Sequence, residues 1–261
     1  FLVKFNSAGA RLWATYYGES GTDVGNSVAT DVSGNVYLAG RTTSANGIAS
    51  GGFQNTFGGG GDAFLVKFSS SGTRLWATYY GGTAFDMVYS VPIDASGNVY
   101  LAGTTGSTSG IASGGFQNAH AGGFDYAFLV KFNSAGVRQW ATYYGGAGDE
   151  FQGNAATDAA GNVYLAGHTD SSTGIASGGF QNTFVGGDYD AFLVKFSASG
   201  GRLWATYYGG TAWEELNWGA LTTDAGGNVY MAGDVYSPNT GNAIASGGFQ
   251  NSLTGTENHF L

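Results

Sequence analysis

FLVKFNSAGARLWATYYG at residues 1–18 returns as FLVKFSSSGTRLWATYYG at 64–81, as FLVKFNSAGVRQWATYYG at 128–145 and as FLVKFSASGGRLWATYYG at 192–209. A fifth copy opens at Phe260-Leu261, so the spacings are 63, 64, 64 and 68 residues. A fixed period of this kind marks a repeat architecture in which each copy is one supersecondary unit. After the quoted stretch each unit carries a variable loop, an apolar stretch ending in Asp, and a turn ending Gly-Asn. Then come V-Y-L/M-A-G and a long loop with I-A-S-G-G-F-Q-N.

Each unit holds four stretches rich in Val, Leu, Phe, Tyr, Trp and Thr with turn residues between them, the composition of strands. In the first unit they are Phe1–Phe5, Arg11–Tyr17, Ser27–Asp31 and Val36–Gly40. Glycine interrupts every window in which apolar residues could recur at helical spacing. The reading is all-β: a β-propeller of four-stranded antiparallel blades, with four repeats of about 64 residues in one segment, 1–261. A β-solenoid is the competing fold. The period exceeds that of common blades, roughly 40–50 residues, and the excess sits in the loop holding Ile48, Phe53 and Phe57.

Composition removes several classes. The 48 glycines have no triplet period, which excludes collagen, and 15% aromatic residues are too many for a disordered chain. A net charge of −9 argues against nucleic acid, which needs clustered cations. No apolar run is long enough for a membrane helix, so direct membrane insertion is not expected. Cysteine is absent, so disulfides and thiolate metal sites are excluded.

The strings DVSGNVYLAGRT at 31–42, GGFQNTFGGGGDAFLVKF at 51–68 and the recurring ATYYG resemble the seven-bladed β-propeller repeat family, SBBP. The likeness recurs at DASGNVYLAGTT, DAAGNVYLAGHT and DAGGNVYMAGDV and covers essentially the whole chain. The resemblance implies a secreted or cell-surface bacterial protein. It also implies a strand order: the Ser27–Asp31 strand innermost, then Val36–Gly40, then Phe64–Phe68, with Arg74–Tyr80 outermost. With repeats starting at 1, 64, 128, 192 and 260, the chain reads as part of a longer array flanked by further repeats. The alternative is a closed four-bladed ring in which Phe1–Tyr17 completes the blade begun by Ala220–Gly233.

Asp31, Asp94, Asp158 and Asp224 each stand just before a Gly-Asn turn, where a carboxylate accepts backbone N–H bonds from residues ahead of it. A calcium loop would need further carboxylates. Lys4, Lys67, Lys131 and Lys195 each precede an Arg by seven residues. A plain four-residue turn would set Lys opposite Arg; a bulge at Gly9 would separate them. Both are expected to be edge cations that discourage strand addition. Trp13, Trp76, Trp140 and Trp204 recur at one position and belong to packing between blades. Ile48, Ile111 and Ile175, with Phe53, Phe116 and Phe180, are expected to be buried and to anchor the long loop.

The informative positions are those where copies differ. Most lie in the loop after the outermost strand: ESGTDVGN, GTAFDMVYS, GAGDEFQGN and GTAWEELNWG. An acid recurs there, as Asp23, Asp86, Glu150 and Glu214, and around it the residues diversify to Phe85, Asp149, Phe151, Trp213, Glu215 and Trp218. Variable aromatics beside acids suit a binding surface for a glycan or a protein. The plainer reading is loop carboxylates bonded to local N–H groups, and a cation site is a third. The added Trp213 and Trp218 make the last repeat the most ligand-like. His120, His168 and His259 occur at unrelated positions, and no nucleophile elbow, zinc motif or phosphate loop is present. No catalytic residue, metal or cofactor is therefore assigned. The expected function is a non-catalytic extracellular scaffold or adhesive module. A glycan- or protein-binding propeller is the alternative, and an acidic hydrolase or lyase the third reading.

Overall fold

The computed structural model describes residues 1–237, 244–252 and 258–260, with the backbone alone at 217–219 and 258–260. Leu261 lies outside the described residues. Strands β1 (Leu2–Phe5) and β2 (Arg11–Thr15) form a hairpin. Three four-stranded antiparallel sheets follow. The first is β3 (Asp23–Thr30), β4 (Val36–Thr42), β5 (Asp62–Phe68) and β6 (Arg74–Tyr80). The second is β7 (Asp86–Ser90), β8 (Val99–Thr105), β9 (Tyr126–Phe132) and β10 (Arg138–Tyr144). The third is β11 (Glu150–Thr157), β12 (Val163–Thr169), β13 (Asp190–Phe196) and β14 (Arg202–Tyr208). The last sheet joins β15 (Glu214–Thr223), β16 (Val229–Val235) and β17 (Asn258–Phe260). No helix occurs among the described residues. Sequence order equals spatial order within each sheet, as expected for blades.

Apart from its lysine, the FLVKF stretch is apolar because both faces of the sheet are covered. From β9, Phe128, Val130 and Phe132 enter the core shared with the first sheet, while Ala127 and Leu129 enter the core shared with the third. Each four-stranded sheet thus contributes alternate residues to two cores, and each buried Val, Leu or Phe is worth about 1.5–3 kcal/mol. The first strands of successive sheets touch: Asn26 Nδ2 donates to Val88 O at 2.9 Å, Ala155 N to Ser90 Oγ at 2.7 Å, and Thr223 Oγ1 to Thr157 O at 2.8 Å. The described strands do not close into a ring. β16 pairs with β17, and the Phe1–Tyr17 segment pairs only within its own hairpin. The single-chain closure entertained from the sequence is not formed.

The two short turns of each sheet lie at one end, here the turn end, and the longer loops lie at the other, the loop end. The Asp turns behave as read. Asp31 Oδ1 accepts Ser33 N and Asn35 N, both at 3.0 Å, and Gly34 takes φ +75°. The basic residues differ from expectation in two ways. A bulge shifts the register so that Lys67 faces Trp76 and Phe68 faces Arg74, which removes the Lys–Arg clash. The lysines also are not edge cations. Lys67 and Lys131 are buried, and Lys67, Lys131 and Lys195 lie 3.6, 3.8 and 3.1 Å from Asp31, Asp94 and Asp158. The reason is position: they sit on the third strand, beneath the Asp turn of the same sheet. Burial opposes ionisation of Asp31, but the Asn35 bonds and the Lys67 charge outweigh it and hold its carboxyl below the usual range.

The fourth strand is not a bare edge either. The long loop lies along it: Ser50 and Ala77 exchange two backbone bonds of 2.9 Å, and Tyr79 N donates to Gln54 O at 2.9 Å. The same contacts recur at Ser113–Ala141 and Ser177–Ala205. A Cβ on Gly52 would lie 2.5 Å from Ala77 O, so this approach needs glycine. Ile48, Ile111 and Ile175 are buried and hold the loop, as expected. The phenylalanines correct the expectation: Phe53, Phe116 and Phe180 are 41%, 42% and 75% exposed. Phe53 and Phe116 lie across the joint to the next sheet, each with one ring face under a guanidinium, Arg138 at 4.3 Å and Arg202 at 4.4 Å.

Candidate binding rim

The recurring acids open the first strands β3, β7, β11 and β15 at the loop end. Asp86, Glu150 and Glu214 are fully buried. Asp86 Oδ2 accepts Gly82 N at 2.9 Å and Ser107 Oγ at 3.0 Å, and Oδ1 accepts the Thr105 hydroxyl. Glu150 Oε1 accepts Gly146 N, Thr169 Oγ1 and Ser171 Oγ. Glu214 accepts Gly210 N at 2.7 Å and Ser237 N at 3.2 Å. The partly exposed Asp23 accepts Glu19 N, Ser44 Oγ and the Thr42 hydroxyl. These carboxylates tie the connecting loop to the strand ends, and they turn their oxygens inward.

Two of them have an acidic neighbour that the repeat pattern did not bring out. Asp62 and Asp190, fully buried at the start of β5 and β13, approach Asp86 and Glu214 across a glycine. A Cβ on Gly81 would lie 2.6 Å from Asp86 Oδ2 and 2.8 Å from Asp62 Cγ; on Gly209, 2.4 Å from Asp190 Oδ1 and 2.7 Å from Glu214 Oε2. Burial, reinforced by the facing charge, pushes Asp62 and Asp190 up to about 7. Burial likewise pushes Asp86 up to about 6 and Glu150 up to about 7. Beside Glu150 the second acid is replaced by Tyr126 of the second sheet. Among the described residues no group of three or more His, Cys, Asp or Glu converges as a metal site.

The diversified residues lie outside these acids, on the rim. Cross-strand register pairs variable positions with one another: Val24 with Arg41, Met87 with Thr104, Phe151 with His168, and Glu215 with Asp234. Phe85 is covered by the Arg41 guanidinium at 4.5 Å. Between the third and fourth repeats the rings form a ladder. Phe151 meets Tyr189 at 5.7 Å, Tyr189 meets Trp213 at 5.9 Å, and Trp213 stacks on Tyr236 at 5.6 Å. His168 lies against Phe151 and Tyr189, and burial lowers its pKa to about 4. Asp149 Oδ1 accepts Asp125 N at 3.1 Å and Phe124 N at 2.5 Å, so it ties down the long loop. Glu215 Oε1 accepts Gln152 Nε2 at 3.1 Å. The side chain of Trp218 lies outside the described residues.

Gln152, His168, Tyr189, Tyr236 and Arg41 are the rim residues that the loop comparison missed. Gln152 sits in a bulge of β11 at φ +56°, a region that glycine normally occupies. The signal was available in the same internal alignment. Arg41, Thr104, His168 and Asp234 occupy one repeat position, and Gly61, Asp125 and Tyr189 another.

The class this geometry defines is an all-β repeat protein of stacked antiparallel sheets, with a uniform turn end and a variable loop end. Residues 12–48 match the family model of SBBP, described as a beta-propeller repeat. The chain is also similar to an uncharacterized WD repeat-containing protein of Acanthamoeba polyphaga mimivirus, with 24% identity over 234 residues. That match covers 77% of this chain and 17% of the relative, so the chain spans a small part of the relative's length.

Proposed function

We propose that the chain is a non-catalytic β-propeller module of the cell surface whose loop-end rim holds a glycan or protein partner. One observation carries this reading: four copies keep the same frame, and their differences concentrate at paired positions of one rim. A scaffold alone needs only the frame, whereas a binding face needs chemistry that differs from blade to blade. The likeness to beta-propeller and WD repeats supports an interaction role, and the SBBP resemblance supports the surface location. The test is binding of the chain to a glycan array and a panel of surface proteins, beside two variants. The first replaces Phe85, Phe151 and Trp213 by Ser; the second replaces the exposed turn-end residues Leu12 and Val32 by Ser. Binding lost in the first and kept in the second is expected; the reverse pattern overturns the reading.

A further inference from the structure

Resting on the rim as the partner-binding face, we propose that the rim between the third and fourth repeats captures an arginine- or lysine-bearing segment of a protein partner, its cation seated on Trp213. The molecule contains its own precedent. Phe85 occupies the repeat position of Trp213, and its ring is covered by Arg41 of the preceding sheet at 4.5 Å. In the third sheet the position of Arg41 is taken by His168, which turns into the ladder against Phe151 and Tyr189. No guanidinium of the chain therefore covers Trp213, which stacks on Tyr236 and stays 37% exposed. A ring face of this kind attracts a cation through its quadrupole, and indole does so best.

The surrounding charge has the matching sign. Burial first, then the charges of Asp170, Asp149 and Asp188, push the Tyr189 phenol up, so three carboxylates act on one ring of the ladder. Of the nine basic residues only Arg41 belongs to the rim; the four lysines lie on the β1, β5, β9 and β13 strands near the turn end, and the other arginines open β2, β6, β10 and β14. Two buried side-chain atoms of the third sheet also lack a partner. The buried Nδ1 of His168 and the Oε1 of Gln152 have no partner, and Gln152 is held at positive φ with its amide nitrogen on Glu215. Carboxylates without a basic residue beside them and a partly exposed indole call for one kind of ligand, a cation. Guanidinium brings charge, a flat face and a fork of N–H donors together, and ammonium brings the charge.

The experiment is calorimetric titration of the chain with a tetra-arginine peptide and with the isosteric, uncharged tetra-citrulline peptide. Tetra-arginine is expected to bind, tetra-citrulline not to bind, and Trp213→Ala to weaken the affinity by about 5–30-fold. Raising NaCl from about 50 to about 300 mM is expected to weaken it further, because the rim charges are partly exposed. His168→Arg should rebuild the Arg41–Phe85 arrangement over Trp213 and block the peptide while leaving the fold intact. Equal affinity for the two peptides, no binding of tetra-arginine, or tetra-arginine binding unchanged in Trp213→Ala would each overturn the proposal. If a neutral glycan or peptide instead binds and is lost with Trp213, the rim reading survives without the cation. If no partner responds to rim substitutions, the rim reading falls as well.

Discussion

At the turn end, three successive joints are copies of one another, side chains included; at the loop end one backbone bond recurs while the side chains around it change from joint to joint. The turn-end joint is made by a lysine and a tryptophan that donate to one carbonyl in the next turn. Lys4 and Trp13 reach Ser70 O at 3.0 and 3.1 Å, Lys67 and Trp76 reach Ser134 O at 3.1 and 3.2 Å, and Lys131 and Trp140 both reach Ala198 O at 3.0 Å. The indoles then lie on the positive-φ glycines of those turns, Gly72, Gly136 and Gly200, where a Cβ would come within 3.0, 3.0 and 2.8 Å of the rings. A backbone acceptor does not depend on the residue that carries it, so Ser and Ala serve equally. At the loop end a backbone bond also recurs, from Asp86 N to Gly61 O, Glu150 N to Asp125 O and Glu214 N to Tyr189 O, but the side chains laid beside it differ, Arg41 on Phe85 in one place and Tyr189 on Trp213 in another. The difference shows how the protein keeps its architecture while its rim changes: the contacts that stack the sheets ask little of the variable positions.

The comparison breaks hardest at Trp140. Trp140→Ala removes a buried indole packed between the second and third sheets, and is expected to cost about 3–5 kcal/mol in chemical denaturation. A loss below about 1 kcal/mol would show that the turn-end joint is not what holds the sheets together. Next in size is Gly103→Ala, since a Cβ there would lie 1.9 Å from Met87 O. The strand must shift at its bulge, at an expected cost of about 2–3 kcal/mol, readable as a lower denaturation midpoint.

Acidity sharpens the contrast, because the two ends titrate in opposite directions. Asp62 and Asp190 have folded-state values near 7, above their ordinary carboxylate values. Their contribution is therefore complete in acid and is lost as pH rises from about 4 through about 7. Asp31 and Asp158 are held low, so theirs is present above about pH 4 and is lost on acidification. Melting temperature is expected to peak between about pH 4 and 6, and the Asp62→Asn, Asp190→Asn double variant to flatten the alkaline limb. An unchanged alkaline limb in that variant would remove the buried acids as its cause.

The smallest effect is expected at the rim. Trp213→Ala should change stability by about 1 kcal/mol or less, because the ring is partly exposed and the other copies fold without a tryptophan there. A loss as large as that of Trp140→Ala would make Trp213 part of the sheet packing and remove the distinction between the two ends.

Local chemistry was readable from the chain itself. The 64-residue rhythm, the strands, the Asp turns and the packing role of Trp76 and Trp140 follow from patterns a few residues long that recur in every copy. The pairing of Lys67 with Asp31 did not, because it joins residues far apart in sequence and depends on a one-residue bulge. Nor did the exposure of Phe53, which is set by the guanidinium that a different sheet lays across it. The approach of Asp62 to Asp86 is of the same kind, decided by how closely Gly81 lets two strand ends converge. Periodicity determines what each element is; which side chains meet across the joints is settled only when whole sheets stack, since that depends on register, twist and the backbone of a neighbour many residues away.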